Sequence, residues 1–297
     1  MAYRSGFVSI VGRPNVGKST MMNQLVGEKV AIVSDKPQTT RNRIQSVYTE
    51  EEMQIVFLDT PGIHKPKNEL GEYMVRMAKG SMRDVDVILF MVDESDRLGK
   101  GDQYIIEELK NIKTPKILVI NKIDKEKQEV IAEIVRQYEE MELFEAIVPI
   151  SAIEGVNLSR LIDEIKEFIK EGPQFFPDGM ITDQPERVIV GEKIREKVLF
   201  YTEQEIPHGV AIEIISMKER ENKKLIDIEA NIYCERNSHK GIIIGKQGRK
   251  LKGIGKAARE DIEGFLGLPV NLQLWVKVKE GWRNQRRLFS NFGYHED

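Results

Sequence analysis

The chain has 297 residues, with 45 Lys and Arg against 48 Asp and Glu for a net charge of −3, and a single cysteine. That length suits two domains, the charge balance excludes a generally polybasic protein, and one cysteine excludes an intramolecular disulfide framework. No signal-peptide core precedes the first strand and no apolar run is long enough to span a bilayer, so a cytoplasmic protein is expected.

The first apolar run, Phe7–Val11, leads into Gly12-Arg13-Pro14-Asn15-Val16-Gly17-Lys18-Ser19 and then a helix through Leu25. This is G-x-x-x-x-G-K-[ST] in a strand–loop–helix setting. The glycines let backbone N–H groups curl around a polyphosphate, Lys18 would reach the β- and γ-phosphates, and the Ser19 hydroxyl would hold Mg²⁺. A glycine-rich turn without a ligand is the bland alternative, and the agreement of residue types, spacing and setting disfavours it. The polar stretch Ser34–Arg43 can become ordered when a hydroxyl reaches Mg²⁺. Thr39 and Thr40 are adjacent and the sequence does not choose between them; Thr40 is preferred.

Further short apolar runs, Ile55–Leu58, Val87–Val92, Lys116–Ile120 and Ile147–Ile150, read as strands buried on both faces. Gln45–Glu50 forms an antiparallel edge before them. Helical candidates lie between, at Gln103–Lys110, Gln128–Met141 and Leu158–Lys170, which predicts an α/β domain with a mostly parallel sheet and helices on both faces. Ligands of such sheets sit at the carboxyl ends of the strands. There stand Asp59-Thr60-Pro61-Gly62, whose aspartate can hold a Mg²⁺-bound water and whose glycine can approach a γ-phosphate, and Asn121-Lys122-Ile123-Asp124. Asp124 only accepts, which suits the adjacent N1–H and N2 amine of guanine, a donor pair that adenine lacks. Asn121 would brace the loop, the Lys122 stem would pack along the base, and a backbone N–H at Ser151-Ala152 would donate to O6. Together these motifs predict GTP as the nucleotide.

Gly172–Gly179, with Pro173 and Pro177, marks a linker that Phe175 and Phe176 dock, placing domains at 1–172 and 186–297 with 173–185 between them. The second part reads as helix–strand–strand–helix–helix–strand, with Gly245-Lys246-Gln247-Gly248 between its paired helices. From Lys240 to Arg259 there are seven cations and no acid. A G-x-x-G loop lets a nucleic-acid backbone approach the main chain, with Lys246, Arg249, Lys250, Lys252 and Lys256 placed for phosphates, while Ile243 and Ile244 either line a base groove or belong to the core. The stretch Trp282–Phe292 reads as a basic, aromatic tail helix.

These motifs, in this order and over nearly the whole chain, resemble the Era-type GTPases, in which a P-loop GTPase domain precedes an α+β type-II KH domain. The resemblance implies binding of the 3′ end of small-subunit (16S) ribosomal RNA and assistance in maturation of the small ribosomal subunit, with no stable oligomer. It also bears on catalysis. Many GTPases place a glutamine after D-x-x-G to orient water, whereas Ile63 and then His64 stand here, so intrinsic hydrolysis is expected to be slow. The resemblance sets Asn15 at the asparagine that potassium-stimulated relatives use to hold a monovalent cation, so K⁺ is an expected accelerator; a loop-shaping asparagine is the alternative. Two other functions stand against this one: a GTPase partner in tRNA modification, disfavoured by the chain's ending without a cysteine, and an RNA-binding scaffold with structural nucleotide. A peripheral contact of the tail with the inner membrane stays open.

Overall fold

The computed structural model describes residues 2–94, 98–221 and 223–294. They divide into two compact units, one of residues 1–31, 40–66 and 71–183, the other of 32–39, 67–70 and 184–297.

The first unit is built on a six-stranded sheet of β1 (Arg4–Gly12), β2 (Ile44–Glu50), β3 (Met53–Asp59), β4 (Val87–Val92), β5 (Lys116–Ile120) and β6 (Ala146–Pro149). Their order is β2-β3-β1-β4-β5-β6, and only β2 runs antiparallel to its neighbour. Successive side chains of a strand point to opposite faces, so a central strand of a two-faced sheet must be apolar throughout. In β4, Val87, Leu89 and Met91 enter one core while Ile88, Phe90 and Val92 enter the other. The first core is closed by α1 (Lys18–Val26) and α5 (Leu158–Lys166), whose Leu158, Leu161, Ile162 and Ile165 form one helical stripe. The second is closed by α3 (Lys100–Leu109), α4 (Gln128–Glu139) and α2 (Glu69–Gly80), a helix missing from the expected set.

Residues 172–182 pack onto this sheet. Gln54 accepts the N–H groups of Phe175 and Phe176 on Oε1, both at 2.9 Å, and donates from Nε2 to the Phe176 carbonyl at 3.0 Å. The Phe175 ring lies 4.9 Å from that of Phe7.

The second unit follows the expected order: α6 (Glu186–Tyr201), β7 (Ala211–Glu219), β8 (Ile226–Cys234), α7 (Asn237–Ile244), α8 (Arg249–Leu266) and β9 (Val270–Val278). β8 is central, antiparallel to β7 and parallel to β9. Its Ile226, Ile228, Ala230, Ile232 and Cys234 are all buried in one core with Ile254, Ala258 and Ile262 of α8.

The expected tail helix is not formed. Three single 3₁₀ turns take its place, at Trp282–Asn284, Arg286–Leu288 and Ser290–Phe292, bounded by Gly281 and Gly293 at positive φ. The aromatic side chains decide this shape. Trp282 is fully buried, donates its indole N–H to the Gly209 carbonyl at 2.9 Å, and lies 5.1 Å from Phe292 and 6.3 Å from Tyr294 between ring centres. Trp282→Phe keeps most of the apolar contact but strips the Gly209 carbonyl of this donor, which costs about 1–3 kcal/mol. The check is chemical denaturation followed by fluorescence of Trp275; an unchanged midpoint would mean that the carbonyl finds another donor. No helix among the described residues is long and apolar enough to cross a membrane.

Candidate functional site

The carboxyl ends of β1, β3 and β5 and the residues after β6 bring the motifs of the first unit together. The phosphate loop leaves β1 and enters α1 through Gly17, which is left-handed at φ 104°. Asn15 is also left-handed, at φ 65°, a conformation that asparagine tolerates better than most residues. Lys18 is 6% exposed and donates from Nζ to the carbonyls of Gly12 and Arg13, at 3.3 and 3.0 Å. Burial lowers its pKa to about 8, against the opposing pull of Asp59, and burial likewise raises the pKa of Asp59. A bound polyanion and a divalent cation would reverse both shifts.

Asp59 stands at the end of β3 and is fully buried. Its Oδ2 accepts from the Ser19 hydroxyl at 2.7 Å, and Ser19 Oγ is 2.8 Å from Thr40 Oγ1. Asp59 Oδ1 is buried with no hydrogen-bond partner. Two hydroxyls converging on a carboxylate whose other oxygen is orphaned suit a hard divalent cation such as Mg²⁺. Between the two adjacent threonines, Thr40 reaches this cluster, whereas the Thr39 hydroxyl donates to the Lys36 carbonyl at 2.6 Å.

Thr60 is fully buried and donates to the Ile10 carbonyl at 2.7 Å. After Pro61, Gly62 runs so close to the phosphate loop that a Cβ there would lie 2.5 Å from the Pro14 nitrogen. Only glycine permits that approach. Ile63 is 2% exposed and packs with Val11, Ala78 and Phe90. The position after D-x-x-G is therefore part of the core. His64 Nδ1 lies 2.9 Å from the Gly62 carbonyl, which can only accept, so the imidazole proton sits on Nδ1.

Asn121 ties the base side of the site to the phosphate side. Its Nδ2 donates to the Val16 carbonyl at 2.8 Å and its Oδ1 accepts the Ala152 N–H at 2.9 Å. Ser151 donates from Oγ to Asp124 Oδ1 at 2.5 Å, and its N–H donates to the Val156 carbonyl at 3.3 Å. The N–H groups at Ser151-Ala152, one of which is expected to donate to guanine O6, are both engaged within the protein. A buried amide must be paired, so O6 would have to share the Ala152 donor with Asn121. Lys122 Nζ is 3.7 Å from Asp93 and 3.8 Å from Glu94. The Arg13 guanidinium is held by Asp93 and Asp102, at 2.9 and 2.8 Å, so the contribution of Arg13 to a phosphate cradle lies in its backbone. The sequence reading missed both aspartates.

In the second unit, α7 and α8 are joined by Gly245-Lys246-Gln247-Gly248. Gly245 sits at φ 72°, and a Cβ on it would meet the Lys250 Cβ at 2.7 Å, so the sharp exit from α7 requires glycine. A groove of about 520 Å³ runs beside the loop between α8 and β9, lined by Gly248, Leu251, Lys252, Gly255, Lys256, Arg259, Val270, Asn271, Leu272 and Leu274. Lys246, Lys252 and Lys256 are exposed, and Lys256 lies 3.8 Å from Glu260. Ile243 does not line this groove: it is fully buried in the core, and Ile244 packs against the same core. The apolar lining comes instead from Leu251 of α8 and Leu272 and Leu274 of β9. With small Gly255 opposite, the leucines of β9 stay partly exposed and form the groove wall.

Residues 7–122 match the family described as 50S ribosome-binding GTPase, and residues 205–283 match the KH domain. GTPase Era of Alkaliphilus metalliredigens is 63% identical over 99% of this chain and 100% of its own length. The chain belongs to the Era family of GTPases. Era of Caldanaerobacter subterraneus is 53% identical over the full length of both chains. Among solved structures, Era in complex with MgGDPNP and nucleotides 1506–1542 of 16S ribosomal RNA superposes with a TM-score of 0.95 at 43% identity, covering 99% of this chain and 100% of that one. A point variant of Aquifex aeolicus Era bound to GDP and AlF4⁻ superposes equally well, also at 43% identity and with the same coverage.

Proposed function

We propose that this protein is a GTP-hydrolysing, RNA-binding switch that binds the 3′ end of small-subunit ribosomal RNA and assists maturation of the small ribosomal subunit. The observation that carries the GTPase reading is the convergence of Ser19, Thr40 and Asp59 beside buried Lys18, with Asn121 tying the phosphate loop at Val16 to Ala152, next to the Ser151 that holds Asp124. Residues 12–19 would cradle the phosphates, Ser19 and Thr40 would hold Mg²⁺ directly, and Asp59 would hold it through water. When bound, the ion would supply positive charge to offset that of the phosphates. Lys18 binds the β- and γ-phosphate oxygens, the Gly62 N–H faces the γ-phosphate, and Asp124 with Asn121 selects guanine. Catalysis is assigned to residues 1–172 and RNA binding to 186–297, joined by 173–185. The groove beside 245–248 takes single-stranded RNA, with the loop and the lysines of α8 on the backbone and the leucines under the bases. A cytoplasmic site of action follows from that partner, and peripheral membrane contact is a finer proposal that vesicle flotation tests.

Ile63 offers no polar group to orient water, so the transition-state charge needs another counter-charge. Asn15, beside the phosphates in a left-handed turn, is proposed to ligate K⁺ there. Single-turnover hydrolysis is expected to run faster in KCl than in NaCl at equal ionic strength. Equal rates would remove Asn15 as a cation ligand.

The test of the whole reading is crosslinking of the bound protein to total cell RNA, once with GTP and once with GDP. Reads concentrated at the 3′ end of small-subunit RNA and changing with nucleotide are expected. Reads on tRNA would overturn the ribosomal assignment.

A further inference from the structure

Two loops that contact different parts of the nucleotide are joined through a carboxylate that belongs to neither. Asp93 stands directly after β4. Its Oδ1 accepts from Arg13 Nη2 at 2.9 Å, and its Oδ2 lies 3.7 Å from Lys122 Nζ. Arg13 is the second residue of the phosphate loop and Lys122 the second of N-K-I-D. The guanidinium is fixed further by Asp102 of α3, which is 2% exposed and accepts from Nε at 2.8 Å. Its stem lies over Gly101, where a Cβ would come within 2.8 Å of Arg13 Cδ. Two carboxylates on two elements set the guanidinium plane, a geometry that the single ammonium of lysine cannot reproduce.

On the reading that this is a guanine-nucleotide site, we propose that Asp93 is a positioning residue that couples phosphate binding to base recognition. Arg13 carries the position of the phosphate loop to Asp93, and Asp93 passes it to Lys122 and so to the loop that presents Asp124. Asp102 anchors only the Arg13 arm. The two aspartates therefore have different signatures. Loss of Asp93 loosens both loops, whereas loss of Asp102 loosens the phosphate loop and leaves the Lys122 contact in place.

The experiment measures the affinity of fluorescent GDP and IDP for the full chain, wild type and variants, with single-turnover hydrolysis at saturating GTP. IDP lacks the N2 amine that Asp124 accepts, so the GDP-to-IDP affinity ratio reads the base loop alone. Loss of a charge-assisted bond corresponds to roughly tenfold or more, so Asp93→Asn is expected to weaken GDP at least tenfold, to lower the GDP/IDP ratio severalfold, and to leave the saturated hydrolysis rate within twofold. Asp102→Asn is expected to weaken GDP and IDP equally, with the ratio unchanged. A ratio in Asp93→Asn equal to that of the wild type overturns the coupling, as does a lowered ratio in Asp102→Asn. Should Asp93→Asn not fold, Arg13→Gln tests the same link from the other side, and an unchanged ratio there also overturns it. Failure of the wild type to bind GDP would instead remove the guanine-nucleotide reading itself.

Discussion

Replacing Lys18 by alanine is expected to lower GTP affinity by roughly two to four orders of magnitude, because breaking a buried charge pair costs about 3–5 kcal/mol. Two losses add in that variant. The phosphates lose their buried cation, and Asp59, fully buried with Oδ1 unpaired, loses the positive charge that offsets its own desolvation. The same environment sets a pH dependence in the wild type. Burial lowers the Lys18 pKa to about 8, below the ordinary lysine value, so the folded protein alone releases this proton on the alkaline side of neutrality. Bound phosphates raise the pKa again. Binding therefore takes up a proton above pH 8, and affinity is flat below pH 8 and falls above it by at most about tenfold per pH unit. For folding the sign is opposite: a lysine with a depressed pKa costs stability at neutral pH, and that cost fades as pH rises through 8 toward the unfolded value. Fluorescent GDP titrations from pH 7 to 9 check the binding limb. Guanine N1 also begins to titrate at the upper end, so the Lys18→Ala variant supplies the background, and equal slopes in the two proteins would exclude Lys18 as the source.

The sequence exposed the elements whose physics is local. β4 and β5 were legible because a strand covered on both faces must be apolar at every position, and Asp59, Asn121 and Asp124 because each directly follows or nearly follows such a run. α2 was missed although Leu70, Tyr73, Met74 and Ala78 are buried at helical spacing. Gly71, next to the first of them, obscured the start. Ile242-Ile243-Ile244 could not be resolved by composition. A helix turns about 100° per residue, so of three successive isoleucines only Ile243 enters the core, while Ile242 is exposed. The Asp93 and Asp102 contacts lie 80 and 89 residues from Arg13 and arise only when β4 and α3 are placed beside the phosphate loop. One signal was available: Asp93 directly follows β4, the position relative to its strand from which Asn121 acts.

Asp124→Asn is expected to exchange guanine for xanthine selectivity, and the hydroxyl of Ser151 makes that outcome directional. In the wild type, Asp124 Oδ1 accepts from Ser151 at 2.5 Å, while Ser151 Oγ itself receives the Glu154 N–H at 3.3 Å. The serine is therefore set as a donor toward residue 124. An asparagine placed there turns its carbonyl oxygen to Ser151 and leaves its amide N–H₂ facing the base. Guanine offers N1–H and the N2 amine, so donors oppose donors. Xanthine carries a carbonyl at C2, which accepts the amide. Two charge-assisted hydrogen bonds of about 1.5–3 kcal/mol each are lost to guanine, roughly two to four orders of magnitude in affinity. Competition of GTP and XTP against a fluorescent nucleotide measures the exchange. Retention of GTP affinity within threefold would show that Asp124 does not read the base, and the choice of guanine over adenine would then rest on Asn121 and the backbone at Ala152. Asp124→Ala separates removal of the acceptor from its reversal: it should weaken GTP without creating XTP binding, because alanine offers xanthine no donor.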